Sequence, residues 1–324
     1  MSPILQMQDL TVRFRTEAGP VTAVDRLSLG LNRGEVLGLI GESGSGKSVT
    51  LRALLRILPE RRTEIGGSLV VDGADVLALK GRRLADYRGG TVSMVFQEPA
   101  TALDPVFTIG NQIAEAVKRH KGVSHADAMA RALEMLELVK IPGARSRLAN
   151  YPHEMSGGMR QRAMIALALA CEPKLLLADE PTTALDATVQ IQVILLLREL
   201  QKALGMAAIF VTHDVGVAAE ISDRVAVMYA GRIVESGTAS EVLTRPRHPY
   251  TRGLLSSTVH GAVPGSRIDA IPGMPPDLAR MPPGCAFAPR CRQKQPGCEA
   301  AVPALTRTDG TRQVACPVAL AEAA

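Results

Sequence analysis

The residues from Val36 to Thr50, Val-Leu-Gly-Leu-Ile-Gly-Glu-Ser-Gly-Ser-Gly-Lys-Ser-Val-Thr, restrict the fold more than any other part of the chain. An apolar run ends at Gly41, a glycine-studded turn follows, and Lys47-Ser48 open a helix through Leu51, Leu54 and Leu55. The pattern G-x-x-x-x-G-K-[ST] thus falls between a strand and a helix, the setting in which it cradles phosphate. Gly41, Gly44 and Gly46 let backbone N–H groups turn inward with no Cβ in the way, and the new helix offers its positive end. Lys47 is suited to reach the terminal phosphates and Ser48 to hold Mg²⁺, with Glu42, Ser43, Ser45 and Val49 completing the loop. An ordinary glycine-rich turn is the alternative, and the flanking strand and helix decide for nucleotide phosphate.

The chain has 324 residues, 46% of them hydrophobic and 21% charged, enough to bury one large or two modest cores. No apolar run reaches the ~18 residues of a membrane span: Ala163 to Cys171 stops at Glu172, and Ile191 to Leu197 stops at Arg198. The start, Met-Ser-Pro-Ile-Leu-Gln, lacks the apolar stretch of a signal peptide, so a cytosolic protein is expected. A net charge of +5 argues for neither nucleic acid nor a membrane surface as partner.

Residues 3–14 alternate as a strand does, and Val21 to Leu31 repeat the pattern, which predicts an antiparallel layer. Phe14, near the end of the first strand, is either a core residue or a ring that stacks on adenine. Val92 to Gln97 reads as a buried strand that ends on a polar amide. From Pro99 to Pro152 the period is helical, with Ile113, Ala116 and Val117 on one face and Ala128, Ala132, Met135, Leu136 and Val139 on another. This helical insert ends where Ser156 is a natural N-cap and Gly157-Gly158 leave amides bare before a helix from Met159 to Ala170, a second anion-binding helix end.

Lys174 to Glu180 is a continuous apolar run ending in two carboxylates, as in a parallel strand buried on both faces whose C-terminal end meets a site. Asp179 suits Mg²⁺, and Glu180 suits a water aimed at the γ-phosphate. Pro181 to Asp186 turns into an amphipathic helix through Leu200, and Ala207 to His213 is a further buried strand that ends on a histidine able to meet a ligand. Arg224 to Tyr229 and Arg232 to Gly237 form a hairpin around Ala230-Gly231. Beyond about Thr238 the composition turns to Pro, Gly and Arg, and prolines such as Pro272, Pro275 and Pro276 forbid long helices. That tail holds Cys285, Cys291, Cys298 and Cys316, whereas Cys171 lies alone on an apolar helix as a core residue. The gaps within the four lean toward an iron–sulfur cluster over zinc; four unligated thiols are the remaining alternative.

Taken together, the Gly41 to Ser48 loop, Gln97, Ser156-Gly157-Gly158, Asp179-Glu180, Asp186 and His213 resemble the ATP-binding subunit of an ATP-binding cassette transporter. The resemblance implies an α/β fold: a P-loop NTPase (RecA-like) core with an antiparallel β subdomain, a helical subdomain over about residues 99–155, and a loop-rich C-terminal extension with a four-cysteine site. It divides the chain into a nucleotide-binding domain, 1–238, and an extension, 239–324. It implies that Phe14 stacks on adenine, that Gln97 senses Mg²⁺ and the attacking water, and that Ser156, Gly157, Gly158 and Met159 cap the ATP of a partner. It further implies Asp179 as Mg²⁺ ligand, Glu180 as general base, Asp186 as a contact across a dimer, and His213 as the switch that holds the γ-phosphate.

Within that family, Gln97-Glu-Pro-Ala-Thr-Ala-Leu-Asp-Pro, Met-Ser-Gly-Gly-Met-Arg-Gln-Arg, His248-Pro-Tyr-Thr and Pro283-Gly-Cys-Ala-Phe-Ala-Pro-Arg-Cys look like the D-type ATPase of dipeptide and oligopeptide importers. This implies ATP, Mg²⁺ and a [4Fe–4S] cluster on Cys285, Cys291, Cys298 and Cys316 as cofactors. The implied partners are a homologous F-type ATPase paired head to tail, two integral-membrane permeases and, indirectly, a solute-binding protein, with no nucleic acid. The location implied is the cytoplasmic face of the inner membrane. Met159 departs from the Gln of most signatures, as D-type subunits also do. The rival is a cassette ATPase acting on ribosomes or DNA, against which stand a lack of internal duplication, of a long coiled coil and of a strongly basic arm.

Overall fold

Alternation of apolar and polar residues at the N-terminus and unbroken apolar runs further on produce two kinds of strand, and the fold follows from the contrast. The computed structural model describes residues 3–182, 186–257, 270–308 and 310–321. Its strands are β1 (Leu5–Thr16), β2 (Gly19–Leu31), β3 (Val36–Ile40), β4 (Thr63–Val71), β5 (Ala74–Asp75), β6 (Val92–Val95), β7 (Leu175–Asp179), β8 (Ala207–Thr212), β9 (Arg224–Tyr229), β10 (Arg232–Thr238), β11 (Thr306–Arg307) and β12 (Gln313–Val314). The chain divides into two compact units, the first built mainly of Ala78–Ile209, the second of Leu5–Leu31, Glu35–Leu77 and Phe210–Ala324.

In the first unit β6 and β7 pair in parallel, Val92 opposite Leu175 and Val95 opposite Ala178. All five residues of β7 are buried, as a strand covered on both faces requires. The expected helical insert is present as two main helices, Ile109–Lys121 and His125–Leu138. Thr108 and Ser124 start them, each hydroxyl accepting from the amide three residues on, and Gly122 ends the first in a left-handed turn. The apolar stripe is Ile109, Ile113, Ala114 and Val117; Ala116, expected on it, is only half-buried, because a stripe through 109, 113 and 117 continues at 114.

In the second unit β2, β1, β4 and β5 form an antiparallel sheet in that order. Leu5 pairs with Leu31 on one side and Val71 on the other, so the predicted antiparallel layer exists and includes β4. A mixed sheet lies in the same unit. Here β3 runs parallel to β9, β9 turns back antiparallel into β10, and β12 and β11 add to the free edge of β10. The β9–β10 turn has positive φ at Ala230 (46°) and Gly231 (83°), the two-residue connection that suits the twist of paired strands.

The tail beyond Thr238 shares a core with the strands that precede it. Ile40 at the end of β3, Val227, Tyr229, Tyr250 and Phe287 belong to one buried cluster, against which Ile271, Leu278, Cys285 and Cys291 pack. Phe287 meets Tyr229 edge-on at 5.3 Å and Tyr250 at 5.4 Å, favourable aromatic geometry. A buried carboxylate, Glu235 on β10, fixes the tail's path: it accepts from the amides of Arg247 and His248, both at 2.9 Å, and from Arg312 at 2.6 Å. Such full pairing is what permits a charge to stand inside.

His248 is buried, and its Nδ1 accepts from the amide of Tyr250 at 3.0 Å, which caps the start of the helix Pro249–Ser256. Burial, with Arg252 adding, pushes its pKa from 6.5 down to about 3. The unfolded chain therefore binds one more proton between those values, so stability is complete above pH 6.5 and falls as pH drops toward 3. Urea unfolding between pH 8 and pH 5 should lose up to about 1.4 kcal/mol per pH unit below 6.5 on this account, and His248→Asn should flatten that limb.

Candidate functional site

The turn after β3 is shaped by side chains that are missing. Gly41 has φ +153°, and a Cβ there would stand 2.2 Å from the carbonyl oxygen of Met228. At Gly46, with φ +104°, a Cβ would stand 2.5 Å from that of Ala23. Both carbonyls belong to strands that flank the loop, so the loop lies on backbone at each end. Ser45 completes the fixation, its carbonyl accepting from Gly231 N at 2.9 Å.

Lys47 is buried, and its Nζ donates to the carbonyls of Gly41 at 2.8 Å and Glu42 at 2.9 Å, and to Ser45 Oγ at 3.4 Å. The ammonium is thereby held inside the loop. The helix Lys47–Leu54 begins at Gly46 with no side chain capping it, so the positive end is not covered by a side-chain oxygen of its own cap. Ser48 and Val49 are half-buried in the first turn, and Ser43 and Gly44 are exposed at the crest of the loop. Glu42 is more tightly held than its position in the motif suggests: its amide donates to Tyr250 Oη at 2.8 Å, and its carboxylate takes both arms of Arg290, at 2.7 and 3.0 Å.

Two other expected residues lie in this unit. Phe14 is half-buried on β1, paired with Val21 and Thr63. His213 is exposed directly after β8, and Asp214 beside it caps the helix Val215–Ile221 by accepting from the amides of Gly216 and Val217.

The first unit carries the remaining residues expected at the nucleotide. Asp179 is the last, buried residue of β7, and Glu180 follows with φ +44°, a left-handed backbone that a non-glycine residue adopts at a cost. Gln97, exposed just beyond β6, donates from Nε2 to Glu180 Oε2 at 3.3 Å. Parallel pairing of β6 with β7 brings the ends of the two strands together, and with them the amide and the acid. Ser156 accepts from Met159 N at 3.3 Å, and the helix it caps begins at Gly157, two residues earlier than expected; the cap needs its first turn C-terminal to Ser156, and both glycines enter that turn. Gly158 sits close to the next helix: a Cβ there would be 3.1 Å from Val189 Cγ1. Asp186 caps that helix, accepting from Val189 N at 3.0 Å. Of the run from Pro181 to Asp186, residues 183–185 lie outside the described residues.

One residue passed over in the sequence belongs to this arrangement. Gln161, buried on the helix that Ser156 caps, donates to the carbonyl of Pro181, next to Glu180. A buried amide facing a core had a signal of its own, since glutamine is rarely interior without a fixed partner.

Among the described residues no group of three or more His, Cys, Asp or Glu side chains stands where it could hold a metal ion, so the four-cysteine centre expected in the tail is not shown. The four are neighbours nonetheless. Burial pushes the thiols of Cys285 and Cys291 up, and the proximity of Cys316 and Cys298 adds to it in both cases. Cys285 and Cys291 lie against the core that contains Phe287, and Cys316 is buried with Val314 and Ala319.

Residues 24–183 match the family described as ABC transporter, and residues 234–298 match the C-terminal region of oligopeptide/dipeptide transporters. A Brucella melitensis protein named as a peptide import ATP-binding protein is 50% identical over 315 residues, covering 94% of this chain and 93% of that one. The chain belongs to the ABC transporter family. It is an ATP-binding subunit of that family, and its reaction is ATP hydrolysis. A Brucella abortus protein of the same description is 48% identical, covering 98% of this ABC subunit and 95% of its own length. Among solved structures, the dimeric ATP-binding cassette MJ0796 in a post-hydrolysis state with ADP and Pi is 26% identical with a TM-score of 0.65, over 72% of this subunit and 98% of that chain. The Clostridium perfringens cbiO1, part of the cbiONQ ABC transporter complex, gives the same identity and TM-score over 76% and 92%. The fold is accordingly that of a P-loop ABC ATPase, with antiparallel and mixed sheets and helices.

The loop geometry of this ABC subunit can be tested at Gly41. Gly41→Ala should destabilise the chain by about 1–3 kcal/mol in urea unfolding, because the Met228 carbonyl must move. Nucleotide binding should fall with it, and a variant as stable as the parent would show that the close approach is not made.

Proposed function

We propose that this subunit energises the import of short peptides across the cytoplasmic membrane. The observation that carries the reading is end-to-end likeness to relatives named for peptide import, extending through a tail that matches the oligopeptide/dipeptide transporter region. A cassette acting on nucleic acid or ribosomes is disfavoured by that tail. Among the described residues no helix is long and apolar enough to cross a membrane, so passage of a solute would need permease partners, at whose cytoplasmic face the subunit would sit peripherally. Residues 1–238 would form the nucleotide-binding part and 239–324 the transporter-specific extension.

In the proposed reaction, the Gly41 to Ser48 loop, with Val49, binds the phosphates of ATP, Lys47 reaches the γ-phosphate, and Phe14 stacks on adenine. Ser48, Asp179 and Gln97 offer hydroxyl, carboxylate and amide oxygens, the hard donors that Mg²⁺ takes. When bound with ATP, the ion neutralises charge on the phosphates. Glu180 accepts the proton of the attacking water, and its contact with Gln97 sets the carboxylate's direction before substrate arrives. His213 holds the γ-phosphate from the end of β8. Ser156, Gly157, Gly158 and Met159 face the ATP of a second cassette, with Asp186 beside them, because one chain supplies one loop and one signature. A homologous F-type subunit is the proposed mate, as the dimeric MJ0796 cassette is paired.

The four cysteines of the tail have the soft donors of a [4Fe–4S] or zinc site, and their closeness supports such a site on loading, although no step of hydrolysis depends on it. Protein purified without oxygen should contain iron and sulfide; stoichiometric zinc without iron would decide for the other metal, and neither would remove the site. For the reaction itself, Glu180→Gln should retain ATP and hydrolyse it about 10² to 10⁴ times more slowly, with single-turnover phosphate release as the measurement. Unchanged turnover would take the general-base role from Glu180.

A further inference from the structure

Glu42 lies inside the phosphate loop, yet two of its three polar groups are engaged by residues that come after Thr238. Its amide donates to Tyr250 and its carboxylate accepts from Arg290, while its carbonyl accepts from Lys47 of the loop itself. One residue thus joins the lysine ammonium to the tail. Arg290 is buried, and it is the residue before Cys291 in the turn that begins at Cys285. Besides Glu42 it donates to the carbonyl of Pro272 at 2.9 Å and to Tyr229 Oη at 3.3 Å. Its guanidinium lies 5.9 Å from the ring centre of Tyr229 and 6.0 Å from that of Phe287. The fork is therefore fixed on several sides before it meets the carboxylate. Pro275, Pro276 and Leu278 line a narrow cleft together with the loop from Glu42 to Ser45.

We infer that Arg290 is a positioning residue for the phosphate loop: through Glu42 it sets the carbonyl that receives Lys47, and so couples the C-terminal extension to the nucleotide's phosphates. The inference rests on the reading of Gly41 to Ser48 as the phosphate site. A bidentate guanidinium–carboxylate pair fixes direction as well as distance, which a lysine at the same position cannot reproduce. Coupling of this kind is reciprocal: what the tail does to the loop, a nucleotide in the loop does to the tail.

The test is binding of a fluorescent ATP analogue, with Mg²⁺, to the purified full-length chain. Lys47→Ala first checks the phosphate reading, which fails if affinity is unchanged. Arg290→Gln should then weaken binding roughly tenfold, the scale of one charge-assisted hydrogen-bonded contact. Glu42→Gln should weaken it similarly, and the double variant should be no weaker than either single one, since both break one contact. Arg290→Lys should fall between the parent and Arg290→Gln, and it serves alone if the latter does not fold. Parental affinity in Arg290→Gln or Arg290→Lys, or losses that multiply in the double variant, would overturn the inference while a Lys47→Ala defect left the phosphate site standing.

Discussion

Everything in this chain depends on backbone meeting backbone at the two ends of one turn. The carbonyls of Met228 and Ala23 approach Gly41 and Gly46 to distances at which no side chain fits, and this contact is what curls the loop. Lys47 then finds three oxygens inside the curl, and a buried ammonium is tolerable because they replace water. β3 and β9 exist at their register to make that approach: Ile40 opposite Val227 puts Met228 beside Gly41. The loop is thus less a flexible lariat than a surface of fixed N–H and C=O groups, and preorganisation of that sort is how phosphate binding avoids the cost of ordering at the moment of contact.

A similar economy holds in the first unit, where the short parallel pair of β6 and β7 sets the distance between an amide and an acid. Gln97 and Glu180 are 83 residues apart in sequence and 3.3 Å apart in space. Glu180 bears a positive φ, which turns it out of the line of its strand, and Gln161 holds the carbonyl of the residue that follows. Strain at the acid and a buried anchor next to it are complementary: the anchor maintains a conformation the residue would not choose alone.

Much of this was legible in the sequence, for physical reasons that differ from place to place. The phosphate loop announces itself because glycine, lysine and serine are each required by a backbone or charge demand at a fixed spacing. The buried strands were readable because no alternation is possible when both faces are covered. Less was legible where long-range contact decides. The stripe that runs through Ala114 in place of Ala116, and the helix that starts at Gly157, are local adjustments of one or two residues. The role of Arg290 had no local signal: an arginine between proline and cysteine reads as a solvent-exposed charge until the fold places Glu42 opposite it. The cysteines show the reverse, since a pattern strong in sequence corresponds to side chains that pack against apolar neighbours, Cys285 and Cys291 beside Phe287 and Cys316 beside Val314.

The two short strands near the C-terminus carry a consequence of another kind. β12 pairs with β10 at Glu235 and Ser236, and β11 adds beyond it, so the middle of that long strand does not present a bare row of hydrogen-bonding groups. An unsheltered row of that sort invites a second chain to pair with it. The tail is then also a shelter for the part of that edge it covers.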